Sequence, residues 1–336
     1  MHMSLTDSAK SADHFTPTAS VLGFRFIGWT VVGTLFAYLF NVYLRFWREW
    51  PGARSAFGPD ATMEAWVQAL IYVVAIAGPA VFVLRTQNRT LRQDDLTISA
   101  IAAYIARFAF WVVFLIGIVD AALSFLRVEG FLEFFVGADI TTQLGRSQFR
   151  VPYVHAPLIV LSLVLAAVTR TLGFTWLALL VVVAELQIVV SRFVFSYEQA
   201  FMGDMVRFWY GGLFLFSSAY TLIEEGHVRV DVLYSGFSDK TKGLVNAWGA
   251  VLLGLPLCWV ILVIGMGQST AIITSPILRL EVSQSGFGMY VKYLLAGYLL
   301  IFAVTMTLQF AAYLLEGIAD YRGDPGKRKL SNEIIH

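Results

Sequence analysis

An all-α membrane protein is the fold class that the sequence predicts: about eight transmembrane helices with short interfacial helices between them, and both termini cytoplasmic. Three observations carry this expectation. Of the 336 residues, 58% are hydrophobic and 14% charged, and mean hydropathy is +0.70. Soluble domains carry about 25% charged residues, so a soluble fold would lack the polar surface to cover itself. Apolar runs of about 20 residues, the length that crosses about 30 Å of hydrocarbon, recur along the chain. Aromatic residues gather at the flanks of several runs, at Trp47, Trp50, Trp66, Trp176, Trp209, Tyr210, Tyr290 and Tyr293, as in an interfacial belt.

Residues 1–20 form a polar tail. The tail lacks the basic-then-apolar order of a cleavable signal, so the first helix is expected to remain as an uncleaved anchor. The first two spans are read at 24–44 and 65–84, the second with Pro79 near its end, and the next two at 98–125 and 152–169. Only Arg170, Thr171, Leu172 and Gly173 separate the fourth span from the fifth, 174–195. One helix through both would far exceed the bilayer, so two spans and a tight turn are expected. The remaining spans are read at 205–223, 244–267 and 289–315. Trp29, Trp111 and Trp259 lie deeper and are expected to pack between helices. The stretch from Tyr197 to Asp204 mixes charge with aromatics, which suits a short helix lying in the interface plane.

Basic residues orient the bundle. Arg322, Lys327, Arg328 and Lys329 follow the last span directly, which assigns the C-terminus to the cytoplasm, and eight crossings return the N-terminus to the same side. Turns 85–96 and 224–243 and Arg170 are then cytoplasmic, with loops 45–64 and 127–151 outside. The chain divides into the tail 1–20, a membrane extension of about four helices at 21–170, a second four-helix unit at 171–320, and a cytoplasmic tail at 321–336. Each half has a charged turn after its second span, LRQDDLTI at 91–98 and EEGHVRVDV at 224–232. That pattern fits a degenerate duplication, and equally any array of helical hairpins.

Few polar residues fall inside the spans. Glu185 sits mid-span among valines, with Arg192 seven positions on and nearly on the same face; Arg107 and Asp120 in the third span are alternative partners. An ionisable group at a helix centre costs about 2.5–3.5 kcal/mol on insertion scales, so these four residues are candidates for an interhelical polar latch or for an ion or proton site. Other function classes lose ground. A net charge of +1 argues against a nucleic-acid partner, and the single cysteine, Cys258, builds neither a disulfide within the chain nor a cysteine metal site. The five histidines, His2, His14, His155, His227 and His336, avoid the span centres, which disfavours paired axial ligands for a membrane haem. No hydrolase or nucleotide-binding motif occurs, and no cofactor is expected.

One string is more specific. Ala219 to Tyr234 reads AYTLIEEGHVRVDVLY, an apolar run collapsing into a short charged turn. Together with Arg192-Phe193-Val194-Phe195-Ser196 upstream and Glu281-Val282-Ser283-Gln284-Ser285-Gly286 downstream, it resembles the signature of the small (DctQ-like) membrane subunit of tripartite ATP-independent periplasmic (TRAP) transporters. The resemblance covers roughly residues 174–320. It implies a scaffold subunit without catalytic task in a bacterial or archaeal cytoplasmic (inner) membrane. Its partners would be a large DctM-like subunit working by a sodium-coupled elevator mechanism and a periplasmic solute-binding protein that captures organic acids or related solutes. Within that frame Glu225, Gly226, His227, Arg229 and Asp231 form the family-signature turn, and Glu281, Ser283 and Ser285 are candidates for outer-face contacts. Family members of this type commonly have four spans, so the first 170 residues or so are an addition. The competing readings are an independent channel or secondary transporter using Glu185, Arg107 and Asp120, and a membrane anchor of an oxidoreductase.

Overall fold

The computed structural model describes residues 18–170, 174–223, 234–282 and 288–327, and among them it is helical without strands. Ten helices follow one another: α1 Ala19–Trp47, α2 Met63–Arg85, α3 Leu91–Val128, α4 Leu132–Leu144, α5 Ser147–Val168, α6 Phe174–Phe195, α7 Ala200–Ile223, α8 Asp239–Met266, α9 Thr274–Arg279 and α10 Lys292–Arg322. Seven of them, α1, α2, α3, α5, α6, α8 and α10, are long and apolar enough to cross a membrane. The expected sixth span lies within α7, a helix of 24 residues that is not among those seven; Asp204 and Arg207 near its start and its glycines and serines dilute its apolar content.

Two helices organise the packing. Half of the apolar stretch of α3 and of α10 is buried, against 11% for α6. One core cluster joins Val21 and Leu35 of α1, Ile98 of α3, Leu262 of α8, and Leu308 and Leu315 of α10. A second joins Phe110, Val113 and Ile116 of α3 to Leu177 of α6, Phe208 and Phe216 of α7 and Tyr298 of α10. Helices α2, α5 and α6 lie at the periphery and present most of their apolar surface outward. Arg322 donates to Ser20 Oγ at 2.9 Å, so the start of α1 and the end of α10 meet at one end of the bundle.

Local sequence explains the irregularities. α3 starts with a capping box: Gln93 N donates to Thr90 Oγ1, and Thr90 N donates to Gln93 Oε1. Pro79 lacks the N–H that would bond Ala75 O, and that freed carbonyl lies against α1 where residue 33 is glycine; a Cβ there would collide with it. Before Pro157 and Pro256 the helix widens into π turns at Val151–His155 and Ala250–Gly254, which hold the carbonyls four residues upstream of each ring. Gly243 of α8 and Gly317 of α10 let two backbones meet: a Cβ at either would stand 2.5–2.6 Å from the other's carbonyl oxygen. Small residues serve such contacts inside membranes.

Three expectations change. Ala200–Asp204 is the first turn of α7 rather than part of a separate interfacial helix. A short helix instead occupies the loop after α3: α4, bent at Gly137 (φ 81°), with Phe134 and Phe135 exposed. Trp209, Tyr290 and Tyr293 are buried rather than belted at the surface. Trp209 Nε1 donates to Val113 O at 3.3 Å, which ties α7 to α3. The deeper tryptophans do pack between helices: Trp29 meets Phe82 edge-on, Trp259 meets Tyr38, and Trp111 Nε1 donates to Thr169 Oγ1.

Candidate functional site

Polar side chains collect at the two ends of the bundle, and Glu185 stands exposed midway along α6. At the end where α1 begins, Arg25 and Asp94 are fully buried. Arg25 Nε donates to Asp94 Oδ2 at 2.6 Å, and its two terminal nitrogens donate to Thr86 O and Thr86 Oγ1 at 2.8 Å each. Arg89 Nε donates to Asp94 Oδ1 at 2.8 Å. Beside them Arg92 donates to Asp320 Oδ1 at 2.8 Å and to the carbonyls of Asp324 and Pro325. The turn between α2 and α3 is thereby fixed both to α1 and to the end of α10.

At the opposite end Asp120 of α3 is the hub. Its Oδ1 accepts from Arg150 at 2.9 Å and from His155 Nε2 at 3.0 Å, and its Oδ2 accepts from the backbone N–H of Tyr290 at 2.7 Å. With Nε2 donating, His155 Nδ1 is the acceptor for the Tyr293 hydroxyl, 2.8 Å away. Arg150 Nε donates to Leu144 O at 2.9 Å, and its guanidinium carbon lies 4.1 Å from the Tyr290 ring centroid. Tyr290 OH accepts from Arg127 at 2.6 Å and donates to Gly145 O at 2.7 Å. Met289 N donates to Asp204 Oδ2 of α7. Asp120, Arg150 and His155 are all 0% exposed. A buried carboxylate with three donors, an arginine among them, is a structural clamp. It holds the segment leading into α10 against α3 and α5.

Nearby, Tyr197 donates to Glu129 Oε1. Burial, with that carboxylate as acceptor, pushes the Tyr197 phenol up to about 12, so it stays a donor at neutral pH.

The four latch candidates do not converge. Arg107 donates to Ala166 O at 3.3 Å, tying α3 to α5. Arg192 pairs with Glu198 at 3.4 Å, both largely exposed. Asp120 finds its partners in Arg150 and His155, 30 and 35 positions on. Glu185 is exposed on α6 and makes no hydrogen bond or ion pair among the described residues. It shares its face with Val182, Leu186 and Val189, themselves 63%, 59% and 49% exposed, while Leu177 and Ala184 turn inward. The Arg150–His155 half of the clamp and the Arg25–Asp94 pair were not singled out from sequence; each falls near a span edge, where charge alone carries no signal.

The signature turn, Glu225, Gly226, His227, Arg229 and Asp231, and likewise Ser283 and Ser285, lie outside the described residues. Glu281 accepts from Lys292 at 2.7 Å, which links the outer-face candidate segment to the first turn of α10.

Residues 178–320 match the family model described as tripartite ATP-independent periplasmic transporters, DctQ component. Neither the curated proteins nor the solved structures compared with the chain include a match. The matched region runs from within α6 nearly to the end of α10.

Proposed function

From the premise that residues 178–320 are a DctQ-type unit, we propose that the chain is the small membrane subunit of a TRAP transporter and acts as a scaffold for a large DctM-like subunit. Sodium-coupled elevator movement belongs to that partner. A periplasmic solute-binding protein delivers the solute, an organic acid or related compound. Both termini face the cytoplasm of a cell whose inner membrane holds the complex. The meeting of Ser20 with Arg322 supports an even number of crossings, with α7 as the eighth.

Glu185 carries the reading. It lies mid-helix in the matched region, on an apolar face that nothing among the described residues covers. Facing lipid, a group of this kind costs about 2.5–3.5 kcal/mol; against a polar group of a neighbouring subunit it is satisfied. The charged groups that a channel reading would use are otherwise engaged: Asp120 is closed inside its clamp and Arg107 is spent on a helix carbonyl.

The test is co-purification with a co-expressed large subunit, wild type against Glu185→Lys and Val182→Trp. Loss of the complex by these variants, with the isolated chain unchanged in yield and melting, is the expected result. Full complex formation by both variants would contradict the assignment of this face.

A further inference from the structure

A cavity of about 740 Å³, with an apolar wall that carries a few polar groups, opens where three spans end: the last turns of α1, the first turns of α2 and the C-terminal end of α8. The short 3-10 turn Ala53–Phe57, entered through Gly52 at φ 97°, closes over it. Its walls include Tyr38, Asn41, Arg45, Arg54, Gln68 and Tyr72, and no carboxylate.

Two of the polar wall residues are shut off from solvent, Gln68 at 0% and Asn41 at 6% exposure. Gln68 is satisfied, since Oε1 accepts from Gly52 N at 2.8 Å and Nε2 reaches Asn41 O at 3.5 Å. Asn41 is not: Nδ2 donates to Ala37 O at 3.0 Å, and Oδ1 has no partner. A buried amide oxygen left without a donor is unfavourable, so the cavity favours a ligand that brings an N–H or O–H. The arginines favour an anion beside it. Arg45 spends one nitrogen on Gly267 O at 3.2 Å, and Arg54 is exposed with no hydrogen bond or ion pair among the described residues.

A second space of about 680 Å³ shares Ala53, Arg54 and Tyr72 with the first and follows the outer face of α2 past Trp66, Leu70, Val73 and Ile76. A charged, donor-seeking chamber at the level where spans end, opening into an apolar groove along a span, has the two-part chemistry of a membrane lipid.

We propose that this is a binding site for a single glycerophospholipid whose headgroup carries a hydrogen-bond donor. Its phosphate lies between Arg45 and Arg54, its amine or hydroxyl donates to Asn41 Oδ1, and one acyl chain lies along α2. Phosphatidylethanolamine and phosphatidylglycerol share this chemistry; phosphatidylcholine has the phosphate and the chains but no donor.

The full-length chain is purified in detergent, stripped of lipid by exhaustive detergent exchange, and titrated separately with phosphatidylethanolamine, phosphatidylglycerol, phosphatidylcholine and inorganic phosphate. Bound mass and melting temperature are recorded. The donor-bearing lipids should bind one per chain and raise the melting temperature, with phosphatidylcholine about tenfold weaker. Arg54→Gln, at an exposed position the fold does not use, should weaken phosphatidylethanolamine binding by about tenfold while leaving the lipid-free melting temperature unchanged. Asn41→Leu should erase the preference over phosphatidylcholine. Equal binding of all three lipids, or undiminished binding after Arg54→Gln combined with Arg45→Gln, would overturn the proposal. Full stabilisation by inorganic phosphate alone would overturn it too, leaving a small-anion site in place of a lipid site.

Discussion

Asp120 and Glu185 are both carboxylates in long apolar helices, and their surroundings give them opposite roles. Asp120 has no exposure and three donors, so its removal strands Arg150 in the interior. Asp120→Ala is therefore expected to destabilise the isolated chain by about 3–5 kcal/mol, read as a large fall in melting temperature in detergent. A change within the error of the wild-type value would show that the clamp is not structural. Glu185→Leu should leave the isolated chain within about 0.5 kcal/mol of wild type, since among the described residues that carboxylate has no hydrogen bond or ion pair; a clear loss of stability would mean an internal partner. The sequence alone picks out both residues as anomalies. It could not assign their partners. Periodicity puts Glu185 and Arg192 on nearly one face, yet Arg192 extends past the helix end to Glu198. Two of the groups that satisfy Asp120 come from 30 and 35 residues downstream, brought back by the α3–α5 hairpin, and the third, the Tyr290 N–H, from 170 residues downstream.

Helix by helix, apolar length was the legible part, because crossing hydrocarbon demands about 20 residues whatever the fold. The ends were less so. α3 runs to 38 residues, about 57 Å, because its polar first turn is stabilised by the capping box and by Arg25 and Arg89 on Asp94. Hydropathy sees only its middle. α4 escaped notice because a short helix with both charges and phenylalanines has no clear period. The contact of α1 with α2 rests on Pro79 freeing the Ala75 carbonyl and on Gly33 receiving it. Gly33→Val should cost about 1–3 kcal/mol, and less in a Pro79→Ala background, where the carbonyl rejoins its own helix. Strict additivity of the two substitutions in a double-mutant cycle would show that carbonyl and glycine are not coupled.

In the whole molecule the first 170 residues are not an appendage. α1 and α3 both pack against α10, through Val21, Leu35 and Ile98 against Leu308 and Leu315, and the Asp120 clamp fixes the entry to α10. Residues 171–336 expressed alone should therefore fail to give a cooperatively melting protein. A folded fragment with the melting temperature of the full chain would show that the extension is separable from the region that matches the family model. The sequence suggests a change of character near residue 170 but carries no sign of the packing across it, which depends on long-range complementarity. The central claim, that this polypeptide frames a transporter without itself moving solute, is tested most directly by proteoliposome uptake. The chain alone, the chain with its large subunit, and the chain with both large subunit and solute receptor are compared under a sodium gradient. Uptake only in the three-component vesicles is the predicted result; accumulation of solute by vesicles containing this chain alone would contradict it.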